Sequence, residues 1–187
     1  MNRKTTLLSL MAILAIVQLA VPLSMINQRE MALRDGVLYK FRTAPVDPAD
    51  AFRGRYVALR IEDENVAVQT NSCFTRGQKV FAVLENDTNG FARVTSLSAD
   101  RPAGNAAVPV TINYAYGTNA HIQVPFDRYY LSESAAPRAE SAYRSHSRRG
   151  NRSTYVTVRV LDGFAVLEEL YIDDVPIKDF LKKEGKK

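Results

Sequence analysis

Two arginines and a tyrosine lie close together at Arg55, Tyr56 and Arg60, and these residue types are suited to binding an anion. A guanidinium offers a planar fork of donors that matches a carboxylate or phosphate, and a phenol adds a hydroxyl at the edge of such a site. If the fold brings Arg128 and Glu133 to the same place, the glutamate would orient an arginine or act as a base. The same set also suits a structural ion pair that pins a loop. We favour that interpretation over a binding pocket, and a pocket over catalysis.

The arginines lie on a predicted strand that follows a turn. Asp47 and Pro48 are turn residues, because proline fixes φ and the preceding aspartate can bond its own backbone. Gly54 then permits a kink or a bulge. Over residues 56–61 polar and apolar side chains alternate, which predicts a half-buried strand with its even-numbered side chains on the polar face.

These residues carry a resemblance to a known family. Residues 52–59, which read FRGRYVAL after Asp47-Pro48, are similar to the motif of the GDYxxLxY family, whose members are membrane-anchored. The chain has Arg55 where that motif has aspartate, and Arg60 where it has tyrosine. Residues 126–133 resemble the aromatic-rich segment of the family that ends in a glutamate. The resemblance covers most of the chain; it implies an anchored companion of integral membrane proteins and no particular activity.

The amino-terminal segment has the features of a membrane anchor. Residues 5–26 contain no charged side chain, and Arg3 and Lys4 precede them. About 20 apolar residues cross a bilayer core as a helix. Ala20 lacks the small residue two positions earlier that a cleavage site needs, and Pro22 follows it. We therefore predict an uncleaved, single-pass anchor in the inner membrane, with a cytoplasmic amino terminus and the remaining chain periplasmic or otherwise extracytoplasmic.

The predicted organisation has three parts. Residues 1–35 form the anchor and a short helical stalk, which ends where Gly36 can adopt the left-handed conformation. Residues 36–177 form an extracytoplasmic β domain, and residues 178–187 form a lysine-rich, frayed tail. A chain of 187 residues without its anchor has the size of one ordinary domain.

Short strands separated by turn residues follow the anchor. The strongest hairpin signal is Asp162-Gly163, and weaker ones occupy residues 86–90 and 117–119. The predicted strands are residues 37–43, 56–61, 65–69, 79–84, 91–97, 108–116, 121–126, 154–161 and 164–172. This spacing predicts a mainly β fold, an antiparallel sandwich or small barrel behind an N-terminal transmembrane helix. Residues 132–143 are expected to form one short helix or ordered loop, and residues 144–152 a mobile basic loop with His146 exposed.

The chain has few residues suited to metal or cofactor chemistry. One cysteine and two histidines exclude an intramolecular disulfide and a Cys-rich cluster and disfavour a histidine-based zinc site, so we expect no metal. Phosphate-loop and dinucleotide signatures are absent, so we expect no cofactor. Cys73 and His121 could form a thiol–imidazole pair, although an inert cysteine is favoured. A Ser–Lys dyad would need a buried lysine, such as Lys40 or Lys79.

The other charged and aromatic residues are expected to have structural or solvent-exposed roles. The pairs Glu168-Glu169 and Asp173-Asp174 would each split to opposite faces of a strand, which predicts solvated charges. The tyrosines at strand spacing, Tyr114, Tyr116, Tyr129 and Tyr130, are expected to pack in the sheet and core rather than to form a stacking platform. The net charge of +5 suits an anionic membrane surface as well as nucleic acid. Outside the cytoplasm we expect no nucleic acid, and the basic loop would contact anionic lipid or envelope polymer.

Taken together, these features favour a non-enzymatic role. We expect a membrane-anchored extracytoplasmic accessory or binding domain that engages a multi-pass membrane protein or an envelope component through the arginine–tyrosine surface around Gly54. The alternative is a hydrolase-like enzyme that acts on an anionic envelope substrate, with Glu133 or a buried lysine as base.

Overall fold

A computed structural model describes residues 3–44, 56–68, 74–104, 106–147 and 154–184. In chain order the elements are α1 (Arg3–Asp35), β1 (Val37–Ala44), β2 (Tyr56–Ala58), β3 (Arg60–Ile61), β4 (Asn65–Ala67), β5 (Lys79–Asn86), β6 (Ala92–Ser98), β7 (Ala107–Tyr116), β8 (Asn119–Gln123), β9 (Arg128–Tyr130), α2 (Ala136–Ser147), β10 (Thr154–Leu161), β11 (Phe164–Ile172), β12 (Val175–Pro176) and α3 (Ile177–Glu184).

The strands form two five-stranded sheets and one two-stranded ribbon. The first sheet has the order β12-β11-β10-β1-β3, the second has the order β4-β8-β7-β5-β6, and β2 pairs with β9. Every pair among these strands is antiparallel. The edge strands β4 and β6 approach each other, so the second sheet is nearly closed into a small barrel. The predicted fold, mainly β and antiparallel behind a long apolar helix, is confirmed.

The predicted hairpins also form. Asp162 and Gly163 have φ angles of 50° and 72°, the left-handed values that a two-residue type I′ turn requires between β10 and β11. A second such turn, which the sequence analysis missed, joins β11 to β12 at Asp173 and Asp174, with φ angles of 51° and 60°. Aspartate tolerates this conformation because its side chain can bond the local backbone.

The predicted strand over residues 56–61 alternates as expected but divides its hydrogen bonds between two neighbours. Residues 56–58 pair with β9, and residues 60–61 pair with β1. Between them the amide of Leu59 donates to the carbonyl of Asp127 at 2.8 Å. The odd-numbered side chains are buried and enter the common core. The even-numbered residues therefore face outward but reach two different places on the surface.

The end of α1 is seated on the first sheet instead of forming a free stalk. Ala32 is completely buried, and the helix contacts β10 and β11. The amide of Gly36 donates to the carbonyl of Ala32 at 3.0 Å, and the carbonyl of Gly36 accepts from Arg159 at 3.2 Å. The prediction of a left-handed Gly36 is wrong. Glycine is needed here because a Cβ would collide with the Ala32 carbonyl and lie 3.2 Å from the Val160 nitrogen.

Two carboxy-terminal expectations are also wrong for the residues that the structure describes; residues 148–152 of the predicted loop and 185–187 of the predicted tail lie outside them. Residues 144–147 are the last turn of α2, where the side chain of His146 packs edge-on against Phe180 with 5.2 Å between ring centroids and is only 21% exposed. Residues 177–184 form α3, whose Ile177 and Leu181 are buried one turn apart. Both segments form helices because the helical repeat places a few apolar residues on one face. This pattern cannot be recognised from the overall composition of the segments.

A largely buried ion pair fastens the first sheet to the β5–β6 turn. Nη1 of Arg42 lies 2.8 Å from Oδ2 of Asp87, and the side chains are 12% and 13% exposed. The carboxylate of Asp87 also accepts the amides of Asn89 and Phe91. These bonds, that from Arg42 above all, lower the pKa of Asp87 to about 2. This ion pair therefore connects the two sheets.

Candidate functional site

The two segments that carry the family resemblance meet in the fold. Strands β2 and β9 pair with Tyr56 opposite Tyr130, Val57 opposite Tyr129, and Ala58 opposite Arg128. Residues 70 to 74 positions apart in sequence thus share one short ribbon. The meeting of the two segments, which the sequence left open, is observed for Tyr56 and Arg128.

On the outer face of this ribbon two tyrosine rings and a guanidinium lie side by side. The ring centroids of Tyr56 and Tyr130 are 5.6 Å apart, and the guanidinium carbon of Arg128 lies 5.2 Å from the Tyr56 ring centroid. Tyr130 is 65% exposed, and the side chain of Arg128 is 47% exposed. A hydrogen bond with Tyr130 and the charge of Asp127 raise the pKa of Arg128. We call Tyr56, Arg128 and Tyr130 the tyrosine–arginine surface.

The ribbon is fixed to the first sheet by a buried phenol. Tyr129 points inward and donates its hydroxyl to Oε1 of Glu169 in a very short hydrogen bond, and the same oxygen accepts the Leu170 amide at 3.1 Å. Burial, followed by this carboxylate, raises the pKa of Tyr129. The tyrosine–arginine surface therefore rests on a rigid support.

The prediction that Glu168 and Glu169 are solvated charges is wrong for Glu169, whereas Glu168 is exposed. The pairing of β10 with β11 shifts between Thr157 and Val158, a bulge that breaks the two-residue period of the strand at Glu168. The bulge leaves Glu169 bonded to Tyr129, while Glu168 pairs with Arg159 at 3.2 Å. A bulge of this kind has no clear signature in one sequence.

The remaining predicted site residues do not all join this surface. Arg60 belongs to a different cluster, and Glu133 is exposed on the segment before α2. Arg55, together with the predicted turn and kink residues Asp47, Pro48 and Gly54, lies outside the described residues, as does Cys73. Of the tyrosines expected to pack in the sheet and core, Tyr129 does so, whereas Tyr116 is 87% exposed.

Arg60 takes part in a cluster that the sequence analysis missed. Its Nε lies 3.4 Å from Oε2 of Glu64, and Nε2 of His121 lies 3.5 Å from the same oxygen. Tyr114 stacks on the imidazole with 4.8 Å between ring centroids. Burial raises the pKa of Glu64, and burial with the charge of Arg60 lowers the pKa of His121. The available signal was the acidic turn before β4, which pairing with β8 places beside the histidine.

A cavity of about 320 Å³ adjoins the tyrosine–arginine surface. Its lining comes from four parts of the chain: the end of α1, the segment through β9, the start of β11 and the start of α3. The charged residues in the lining are Arg29, Arg128, Lys178 and Glu168. Three of these four side chains are positively charged, and Glu168 is paired with Arg159. We call this the basic cavity.

A second cavity of about 530 Å³ lies next to it between α2 and α3. Tyr130 and Lys178 line both cavities. The lining of the second cavity includes the apolar side chains of Leu131 and Leu181, and also Arg138, whose Nη2 donates to the Leu181 carbonyl at 2.9 Å. Tyr130 therefore stands on the ridge between two adjacent concave surfaces.

The position of Arg29 relates the basic cavity to the apolar part of α1. The helix from Thr6 to Asp35 is long and apolar enough to cross a membrane, with a mean hydropathy of 2.3 in its most apolar window and none of that window buried. At about 1.5 Å per residue, Arg29 lies about 4.5 Å beyond Ile26 along the helix axis. The basic cavity thus opens just beyond the apolar segment.

The described residues offer little for metal or base chemistry. Within the described ranges, no group of three or more His, Cys, Asp or Glu side chains could hold a metal ion. Every lysine whose side chain is described is exposed, including Lys40 and Lys79. A buried-lysine base, and the Ser–Lys dyad that needs one, therefore have no candidate among these residues.

Comparison with known proteins gives one match. The family described as GDYXXLXY protein matches residues 18–170, which cover most of the chain, from within α1 to within β11. No curated protein and no solved structure matches the chain.

Proposed function

The chain belongs to the GDYXXLXY protein family, and from its geometry we propose that it is a membrane-anchored accessory domain that binds a multi-pass membrane protein. The contact site in this proposal is the tyrosine–arginine surface. The proposed location is the inner membrane, with Arg3 and Lys4 holding the amino terminus in the cytoplasm and the β domain on the periplasmic side.

The observation that carries the proposal is the fixed joint between α1 and the β domain. Ala32 is fully buried against the domain, and Gly36 is confined between the helix and β10. A domain held this closely on a spanning helix has a defined height and rotation relative to the bilayer. Tyr130, between the two cavities, would then lie close to the extramembrane loops of a neighbouring membrane protein.

The exposed apolar surface of α1 supports an uncleaved anchor over a signal peptide. Cleavage near Ala20 would leave the following apolar side chains, from Val21 at 53% to Met25 at 65% exposed, facing water on a helix attached to the domain. Burying such side chains in lipid is favourable by about 1.5 to 3 kcal/mol each. If the anchor is retained, these side chains lie in lipid and are not exposed to water.

The composition of the tyrosine–arginine surface supports a binding role. Tyrosine and arginine dominate the energetics of protein interfaces because they combine a large contact area with directional polar groups. The bond between Tyr129 and Glu169 holds the strand below, so little ordering of the backbone is needed on binding. Tyr130, which is 65% exposed, is the residue most suited to enter a partner's pocket.

The alternative is a hydrolase-like enzyme that acts on an anionic envelope substrate. The basic cavity favours this alternative, because its cations would attract such a substrate. Its one carboxylate, Glu168, is held by Arg159, and Glu133 does not line it. The cavity therefore supplies binding groups for an anion without an available base, and we favour the accessory role.

Site-specific photo-cross-linking in native membranes tests the proposal. A photoreactive phenylalanine analogue replaces Tyr130 in the intact protein, and a second protein carries it at Tyr116, an exposed tyrosine of the second sheet. We expect a discrete adduct with an integral membrane protein from position 130 alone, which Arg128→Ala weakens. Equal adducts at both positions, or no adduct at position 130 in correctly inserted protein, would contradict the proposal.

A further inference from the structure

We propose that the basic cavity binds the phosphate of an anionic phospholipid headgroup. Like the proposed function, this inference assumes that α1 spans a membrane, and it uses Arg128 of the same surface, but it does not depend on a protein partner. The charges in the cavity, its depth relative to the bilayer and its volume all favour such a ligand.

Three cations from three separate elements converge on this cavity. Arg29 comes from α1, Arg128 from β9 and Lys178 from α3. Nε of Arg128 lies 3.7 Å from Oδ1 of Asp127, which with the Tyr56 ring positions its guanidinium. Arginine can bind two oxygens of a phosphate at once, and lysine adds a mobile point charge.

The depth of the cavity matches the headgroup layer. That layer is roughly 5 to 7 Å thick on each side of the hydrocarbon core. Arg29 lies about 4.5 Å beyond the apolar run of α1, and so falls inside the layer when the run spans the core. The phosphates of the surrounding lipids are therefore at the level of the cavity, at a local concentration that no soluble anion reaches.

The size and apolar lining of the cavity favour a lipid phosphate over a free one. A volume of about 320 Å³ corresponds to roughly ten water molecules. Phe164, Ala165 and Leu167 contribute apolar surface beside the cations. A hydrated inorganic ion would gain nothing from these side chains, whereas the glycerol attached to a lipid phosphate would pack against them. Tyr130 at the rim is also typical of the membrane interface.

Native mass spectrometry of the intact protein in detergent micelles tests the proposal. The probes are phosphatidylglycerol, zwitterionic phosphatidylcholine and inorganic phosphate. We expect phosphatidylglycerol to form a defined single adduct and the other two to bind much more weakly. Inorganic phosphate that binds while phosphatidylglycerol does not would overturn the lipid assignment, and so would equal retention of both lipids.

Matched variants separate a built site from general attraction to a basic protein. The test variant combines Arg29→Gln with Lys178→Gln, and the control combines Arg76→Gln with Lys79→Gln, which removes the same charge from exposed residues outside both cavities. Each cation should contribute about fivefold to the affinity for phosphatidylglycerol. The test variant, which lacks two cations of the cavity, should therefore lose about 25-fold in affinity, and the control less than twofold. Equal losses would overturn the proposal.

A single variant and the cross-linking experiment separate the possible causes of a lost affinity. Lys178 is exposed, so Lys178→Gln alone should fold normally and lose about fivefold in affinity. An unchanged affinity in this variant would contradict a role for Lys178. Cross-linking from Tyr130 reports the protein partner separately, so a failure of the proposed function and a failure of lipid binding give different results.

Discussion

Replacing Gly36 with alanine tests the joint between α1 and the β domain. The new methyl group would collide with the carbonyl oxygen of Ala32 and lie 3.2 Å from both Cβ of Arg159 and the nitrogen of Val160. Backbone atoms, or atoms attached directly to the backbone, make up this environment. The methyl group therefore cannot be accommodated by moving a flexible side chain, and the helix must move away from the strand.

The expected loss of stability follows from two contributions. Displacing the helix end weakens the hydrogen bond from the Gly36 amide to Ala32, worth about 1 kcal/mol. Overpacking a confined position costs about 1 to 3 kcal/mol more. The total of roughly 2 to 4 kcal/mol corresponds to a decrease in Tm of roughly 5 to 15 °C for a protein of this size.

Thermal unfolding of the intact protein in mild detergent, followed by the β-sheet circular dichroism signal, measures this change. Gly117→Ala is the matched control, since Gly117 has a φ of 59° but nothing within 4 Å of an added Cβ. That control should lose only about 1 kcal/mol from backbone strain. If Gly36→Ala leaves Tm unchanged, or costs less than Gly117→Ala, the helix end is not seated as described and the reasoning is refuted.

Three other substitutions test contacts within the domain. Asp87→Asn should lower Tm at pH 7. It should also reduce the loss of stability as the pH falls from about 4 toward 2. In the wild type the pKa of about 2 means that stability is complete above about pH 4 and is lost as the pH falls toward 2. His121→Gln should reduce the loss of stability between pH 7 and 5, because a lowered pKa means that the unfolded chain takes up the proton first; an unchanged slope would contradict this assignment. Tyr129→Phe should cost about 1 to 3 kcal/mol in denaturant unfolding, because it leaves the half-buried carboxylate of Glu169 without its phenol. Tyr130→Phe, on the exposed face, is its control and should change stability little.

Much of the β architecture could be predicted because it depends on local patterns. The alternation over residues 56–61 placed each side chain on the correct face, and Asp162-Gly163 identified the turn of the β10–β11 hairpin. The apolar run of α1 likewise needed only composition and length. Such features follow from the two-residue repeat of a strand and from the conformations that particular turn residues prefer.

The features that build the site are not local, and the sequence did not reveal them. The pairing of β2 with β9 joins distant segments, and the bulge at Glu168 breaks the repeat from which the orientation of Glu169 was inferred. Gly36 was recognised as a glycine that mattered, but for the wrong reason. Its role is to allow close contact with β10, which becomes visible only when both elements are placed.

The depth of Lys178 in a bilayer tests the central claim most directly. With Cys73→Ser as background, a fluorescent probe is attached at Lys178→Cys or, as control, at Lys79→Cys on the second sheet. The intact protein is then reconstituted in vesicles with nitroxide-labelled lipid headgroups. The account predicts strong quenching by the headgroup nitroxide at position 178 and quenching mainly by a water-soluble agent at position 79. A probe at position 178 that responds only to the water-soluble agent would contradict an account in which α1 holds this face of the domain on the membrane.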